Sequence, residues 1–511
     1  MRFLYDNAAT IGVALLCSAF TWLYGGTVAS ELMPTIPWLV ALMCELMICF
    51  PQRHSGETTY EARRRVWRAM KSDPLTWIVA LFLILLTIPF VNKGLCPSCD
   101  YPEIHFDGEN PSPPFKFLPY CVNRLEHLNV TIWFFSALLA MLAVKHSLLK
   151  RGKRKVLELV VWNGLALSMI GLLQYITGAN APLWGDEAEW GEKVYFFSTF
   201  GYPNMAGDYF VTLFAISTAL WRWKYSEVTY SEELSNVKSK GHDLFWRKHY
   251  FLIPAVIFFL SALMTLSRAA IILVSLLAVI FFIHSFISIL SSVNRIKRVK
   301  LTAVNLLVLA IIGLIFYIVT SNSGKIIEAG DFNKEISTLN SNAILDRLSG
   351  KEQYHFRVAT QVWKDNFLFG CGGWGYKHLS IDKMTDEDFK NLQQVGGINV
   401  HNDFLQFLAE HGLIGVLMLV SMVVLLFVPL VQGWKRLVVS AAFSKKSKRP
   451  PRPIAIFALP ASAFFLMMAM VATLLHSMAD CPLRSPAVLT LFFVMIAAID
   501  GFMPKFSETE N

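Results

Sequence analysis

Long apolar runs alternate with short polar connections from one end of the chain to the other. A membrane-crossing helix needs about 20 mostly apolar residues. Runs near that length fall at 8–25, 35–50, 75–91, 128–146, 156–177, 207–222, 250–267, 269–292, 302–321, 412–432, 453–475 and 486–503. The run at 35–50 is short and carries Glu45. The pattern predicts an all-α integral membrane protein with about 12 transmembrane helices. The first run lacks a charged leader and a small-residue cleavage site, so it reads as a retained helix.

One polar stretch breaks this rhythm. Residues 322–411 separate the ninth run from the tenth, and structureless connections of such length are uncommon unless functional. Within it, Phe356, Ala359, Thr360, Trp363 and Phe367 recur at helical spacing, which predicts an amphipathic helix over 353–366 with those residues on its apolar face. Gly370, Gly372, Gly373 and Gly375 then require a turn. No Lys-Ser or Lys-Thr follows the glycines, so they are not a phosphate-binding loop. Asn402 or Asp403 suits the N-cap of the next helix, whose positions Asp403, Gln406 and Glu410 share one polar face. Gly412 breaks the register before the membrane run begins.

Composition strengthens the membrane reading. The 511 residues are 54% hydrophobic and only 16% charged, against roughly 25% charged in soluble domains. The net charge of +9 would suit nucleic acid, but its distribution argues against that partner. Most Lys and Arg gather in alternate connections, at 53–71, 145–155, 222–248, 295–300 and 435–452, with Arg2 and Lys505 at the ends. By the positive-inside rule this places both termini in the cytoplasm and the 322–411 loop outside. The basic runs then serve orientation and attraction to the lipid bilayer.

The eight cysteines divide in the same way. Cys17, Cys44 and Cys49 fall in apolar runs as small fillers, while Cys96, Cys99, Cys121, Cys371 and Cys481 face a compartment that permits disulfides. Cys96-Pro-Ser-Cys99 favours a local disulfide, with Cys121 as a further partner, and no second pair completes a zinc site.

Three basic side chains carry the candidate chemistry. Arg268 follows Thr265-Leu266-Ser267 between two apolar runs, where a snorkelling arginine competes with a polar pocket. Arg357 lies on the predicted amphipathic helix and His401 begins His-Asn-Asp-Phe-Leu-Gln. Taken singly, each has an ordinary structural explanation.

Taken in order, they resemble the O-antigen ligase and polymerase family of bacterial membrane glycosyltransferases. Thr199-Phe200-Gly201-Tyr202-Pro203-Asn204 is similar to the family's aromatic-Asn-Pro-Asn stretch, with the order altered. Leu266-Ser267-Arg268 resembles its Ser-Arg-Gly segment, with Ala269 in the glycine position. Arg357, Trp363 and the Gly370–Gly375 turn resemble its Arg-helix-Gly region. His401-Asn402-Asp403-Phe404-Leu405-Gln406 with Glu410 and Gly412 is the closest match, and His476 to Asp480 resembles a later segment of some members. The resemblance covers 195–490, flanked by N-terminal helices with an external 92–127 loop over 1–194 and by the end of the last span and a cytoplasmic tail over 491–511.

The resemblance implies a GT-C-like enzyme that moves a glycan from undecaprenyl diphosphate, at the periplasmic face of the inner membrane, without metal, nucleotide sugar or other cofactor. It implies Arg268, Arg357 and His401 as catalytic residues. Asn204, Asn402, Asp403, Gln406, Glu410, His476 and Asp480 are expected to bind substrate. His476 and Asp480, four apart, are expected on one helix face. The chemistry agrees: guanidinium groups grip a diphosphate with paired charge-assisted hydrogen bonds. A histidine with a reference pKa of about 6.5 can take the proton of a sugar hydroxyl. The acceptor stays open between lipid A-core, a growing lipid-linked glycan and a protein side chain. A polytopic transporter or flippase of lipid-linked glycans is the competing class. It predicts charged sites near the bilayer midplane and repeated halves, whereas these halves do not look alike. A third reading, a membrane scaffold for envelope assembly, expects substitutions at Arg268 or His401 to be tolerated.

Overall fold

The computed structural model describes residues 2–23, 25, 35–92, 115, 117–185, 196–235, 241–290, 302, 303, 306, 310, 353–388, 399–443 and 459–503. Among these residues there are helices and turns but no strand, only a single bridge between Phe197 and Phe200. Fifteen α-helices are used below. They are α1 (Arg2–Trp22), α2 (Thr35–Cys49), α3 (Thr59–Ser72), α4 (Pro74–Thr87), α5 (Arg124–Leu142), α6 (Lys150–Thr177), α7 (Pro203–Ser235) and α8 (Gly241–His249). The rest are α9 (Leu252–Met264), α10 (Arg268–Leu290), α11 (Gln353–Asp365), α12 (Gly375–Leu379), α13 (Asp403–Phe443), α14 (Ala461–Ala479) and α15 (Pro486–Ala498).

Six helical stretches are long and apolar enough to cross a membrane, or seven if α3 and α4, bent by 73° at Pro74, count as one. Three shorter apolar helices lie at Asn7–Trp22, Thr35–Cys49 and Pro486–Phe502. The chain is therefore an all-helical, multi-pass membrane protein. The expectation of twelve spans also counted the shorter helices and α7, which is not among the six. Its ninth run, 302–321, lies largely outside the described residues.

The chain forms two compact units. The first comprises Met1–Leu157, Leu345–Ala463 and Ser477–Asn511. At its centre is α15, every residue of which is buried. A helix apolar all round needs neighbours on every side, and α5 and α1 supply them. By contrast α13 shows Leu417, Val420, Val424, Val428 and Val431 on its outside, an exposed apolar stripe suited to lipid. The second unit comprises Glu158–Ile344 and Phe464–His476. Its core is α7 packed on α9 and α10. Gly207 permits the close approach, because a Cβ there would crowd Ala270 and Ser267.

The predicted amphipathic helix appears as α11, and its buried face overlaps the expected one only in part. His355, Val358, Ala359 and Val362 are buried, whereas Phe356, Thr360 and Trp363 are half-buried and Phe367 is exposed. The small side chains pack with Cys371, Val400 and Ala409 at the centre of this core, and Phe356 and Trp363 pack against its edge.

Candidate functional site

In the first unit the glycine turn and the start of α13 interlock through backbone. Cys371 N and Gly372 N donate to the carbonyls of Ala409 and Glu410, and Leu413 N and Ile414 N donate to those of Phe367 and Leu368. The helix opens at Gly412, whose φ of 65° breaks its regular dihedrals, as the register argument predicted. Gly370 has φ 73°, and a Cβ there would overlap the Glu410 carbonyl. The glycines thus serve a turn and a close approach.

Asn402 caps α13, its Oδ1 accepting from Leu405 N at 3.0 Å, while its Nδ2 donates to Met478 O at 3.0 Å. That second bond docks the turn before α13 onto the end of α14. His401 precedes the cap with φ 52°, a backbone region that costs a non-glycine residue roughly 1–3 kcal/mol and clusters at functional sites. Its Nδ1 lies 3.2 Å from Asp480 Oδ1. An ionised carboxylate only accepts, so the ring places its Nδ1 proton there. Asp480 is buried, and its Oδ1 also accepts from Cys481 N at 2.8 Å. Helix α14 ends at Ala479, so Asp480 stands beyond it and does not extend the helix face of His476. The helix stops because its carboxylate turns to the Cys481 amide and to His401.

The face Asp403, Gln406, Glu410 exists, but all three are fully buried. Asp403 Oδ2 accepts from Leu483 N at 2.9 Å, and Gln406 Nε2 donates to Glu410 Oε1 at 3.1 Å. Glu410 receives both terminal nitrogens of Arg484, at 2.6 and 2.7 Å. The guanidinium also stacks 4.2 Å from the Trp374 ring centroid. This polar face holds the 480–485 turn in place.

Arg357 projects from α11, 42% exposed, and pairs with Asp388. Burial raises the Asp388 carboxyl, but the Thr385 amide and hydroxyl and the Arg357 guanidinium outweigh that and hold it below its ordinary value. His355, one turn from the same helix start, faces His401 with ring centroids 5.7 Å apart. Burial pushes its pKa down to about 4, with His401 adding to the shift. Among the described residues neither of its ring nitrogens has a hydrogen-bond partner.

In the second unit, Arg268 opens α10 and is half-buried behind buried Thr265 and Ser267. The connection from α9 is three residues long and includes Leu266 at φ 57°. Asn204 lies in the first turn of α7 and donates to the Tyr202 hydroxyl at 3.2 Å. His476 meets Asp208, Nδ1 to Oδ1 3.0 Å, and Thr473 donates to the other oxygen at 3.0 Å, all fully buried. Thus His401 and Arg357 belong to the first unit and Arg268, Asn204 and His476 to the second. Cys96 and Cys99, expected as a disulfide, lie outside the described residues, and Cys121 is buried with its Sγ 3.5 Å from Pro89 O.

Sequence reasoning missed Asp208, Asp388 and His355, and noted Arg484 only as a close neighbour of His476 and Asp480. Asp208 carried a usable signal, since a carboxylate inside an apolar run is a functional candidate by default. Asp388 and His355 carried none, because each is defined only by what it faces.

Residues 253–420 match the family model described as O-antigen ligase. No curated protein matches the chain. The family match supports glycan transfer of the O-antigen ligase or polymerase type. It spans the segments that carry Arg268, Arg357 and His401, and it supports the resemblance to the O-antigen ligase family over residues 253–420.

Proposed function

We propose that the chain transfers a glycan from undecaprenyl diphosphate to an acceptor hydroxyl, with inversion, at the periplasmic face of the bacterial inner membrane, both termini being cytoplasmic. The observation that carries this reading is the His401–Asp480 pair, formed across 79 residues of sequence on a strained backbone. With the Nδ1 proton directed to Asp480, Nε2 is the basic nitrogen. It takes the acceptor proton as the hydroxyl oxygen attacks the anomeric carbon from the side opposite the diphosphate. The bond from that carbon to the diphosphate oxygen breaks, and its electron pair leaves with the lipid diphosphate. Asp480 stabilises the imidazolium until the proton passes to solvent.

Arg357 is an exposed cation on α11, and its present partner is a carboxylate. A diphosphate replacing Asp388 exchanges one anion for another, so the guanidinium never loses its charge partner. Arg268 is assigned to diphosphate binding on the family resemblance. Asn204, Asn402 and His476 are assigned to substrate binding on that basis. Asp403, Gln406 and Glu410, being buried, are assigned to positioning.

The test is complementation of cells lacking the gene. Arg268→Ala, Arg357→Ala and His401→Ala are each expected to abolish surface glycan at normal protein levels. Normal glycan from all three refutes the enzymatic reading. Restored long repeats identify a polymerase, and a capped lipid A-core identifies a ligase.

A further inference from the structure

The turn that holds His401 brings together three side chains of different ligand chemistry. His401 Nδ1 is 3.2 Å from Asp480 Oδ1, Cys481 Sγ is 3.4 Å from that same oxygen, and the three ligand atoms all lie within 4.8 Å of one another. A tetrahedral zinc bound at about 2.0–2.3 Å by nitrogen, oxygen and sulfur separates its ligand atoms by roughly 3.3–3.6 Å. Two edges of the cluster already have nearly that length. The third closes by a small turn of the His401 ring, which is the least buried of the three. Asp480 and Cys481 are buried and held by their own backbone, so the site is half built before any ion arrives.

We propose that His401, Asp480 and Cys481 bind a thiophilic divalent cation of the zinc class, and that its binding silences the enzyme. The ion enters from the exposed edge of His401 and takes Nδ1, a carboxylate oxygen and Sγ, with water at the fourth position. Cys481 binds as thiolate, so one proton leaves for solvent. The mixed nitrogen, oxygen and sulfur set selects zinc over magnesium or calcium, which prefer oxygen alone. Inhibition follows from the tautomer. Metal on Nδ1 moves the ring proton to Nε2, the nitrogen that must accept the proton of the acceptor. This part rests on the proposed role of His401, whereas the binding site itself does not.

The experiment uses the purified full-length protein, treated with chelator and titrated with Co²⁺ as a spectroscopic probe. One tetrahedral cobalt per chain with a thiolate charge-transfer band is expected, displaced by one equivalent of Zn²⁺. Cys481→Ser should remove that band relative to the parent protein, which separates this thiol from Cys96 and Cys99. His401→Gln, at a half-exposed position, should weaken Zn²⁺ binding about 10-fold or more and serves if the serine variant does not fold. In the transfer assay Zn²⁺ should inhibit the parent, chelator should restore it, and Cys481→Ser should need at least tenfold more Zn²⁺. An unchanged cobalt spectrum in Cys481→Ser, or no cobalt bound, overturns the site. Cobalt binding at this site without any glycan transfer by the parent would count against the proposed activity and leave the site standing.

Discussion

Arg484 grips Glu410 with both terminal nitrogens, at 2.6 and 2.7 Å, where neither side chain reaches solvent. The pair joins the turn after α14 to the first turns of α13, and so fixes the backbone that carries Asp480 relative to the one that carries His401. Removing one partner leaves the other charge buried and uncompensated, which costs about 3–5 kcal/mol. Arg484→Ala and Glu410→Ala should each lower the melting temperature of the purified protein sharply. Arg484→Met combined with Glu410→Gln should lose less than the two single losses added. Additive losses would show that the pair does not act as a unit.

The glycine turn predicts a graded response to alanine. At Gly370 and Gly412 the new Cβ would meet backbone atoms of Glu410 and of Leu368, and both residues have positive φ. At Gly56, φ is also positive, but nothing lies within 4 Å. Gly56→Ala should cost only the conformational penalty, about 1–2 kcal/mol. Gly370→Ala and Gly412→Ala should yield little monodisperse protein by size exclusion. Equal yields of all three would mean that close approach is not what these glycines provide.

Asp480 holds His401 by its Nδ1 proton. Asp480→Asn keeps the shape but offers an amide donor, which favours the wrong tautomer. Transfer should fall about 10²–10⁴-fold with the melting temperature nearly unchanged. A variant with full activity would remove Asp480 from the mechanism.

His355 gives the first unit a pH dependence of stability. Its pKa falls from about 6.5 in the unfolded chain to about 4 in the fold, chiefly through burial. Between those values the unfolded chain binds more protons, so stability rises with pH. The contribution is complete above pH about 7 and is lost as pH falls through 6.5 towards 4. Thermal melting at pH 7.5 and pH 5 should show a drop on acidification that is smaller in His355→Gln. An equal drop in both proteins would place the effect elsewhere.

Much of this was readable from local sequence. The amphipathic helix, the turn at Gly370–Gly375, the Asn402 cap and the break at Gly412 all appear where spacing put them. Apolar periodicity, capping side chains and glycine act within a few residues of backbone, so they leave a local signature. The face of α11 was legible only in part: Ala359 is buried and Phe356 and Trp363 pack against the core as half-buried side chains, whereas its centre is taken by Val358, Ala359 and Val362. The shared face of His476 and Asp480 was misread because α14 stops one residue short.

The apolar runs by themselves determined that this is a helical membrane protein, and the order of motifs determined which residues are worth testing. Tertiary structure alone decided their partners. His401 pairs with Asp480 across 79 positions, Glu410 with Arg484 across 74 and Asp208 with His476 across 268. A hydrogen bond depends on where two backbones are brought to lie, and helix packing sets that through buried shape, which no spacing along one segment records.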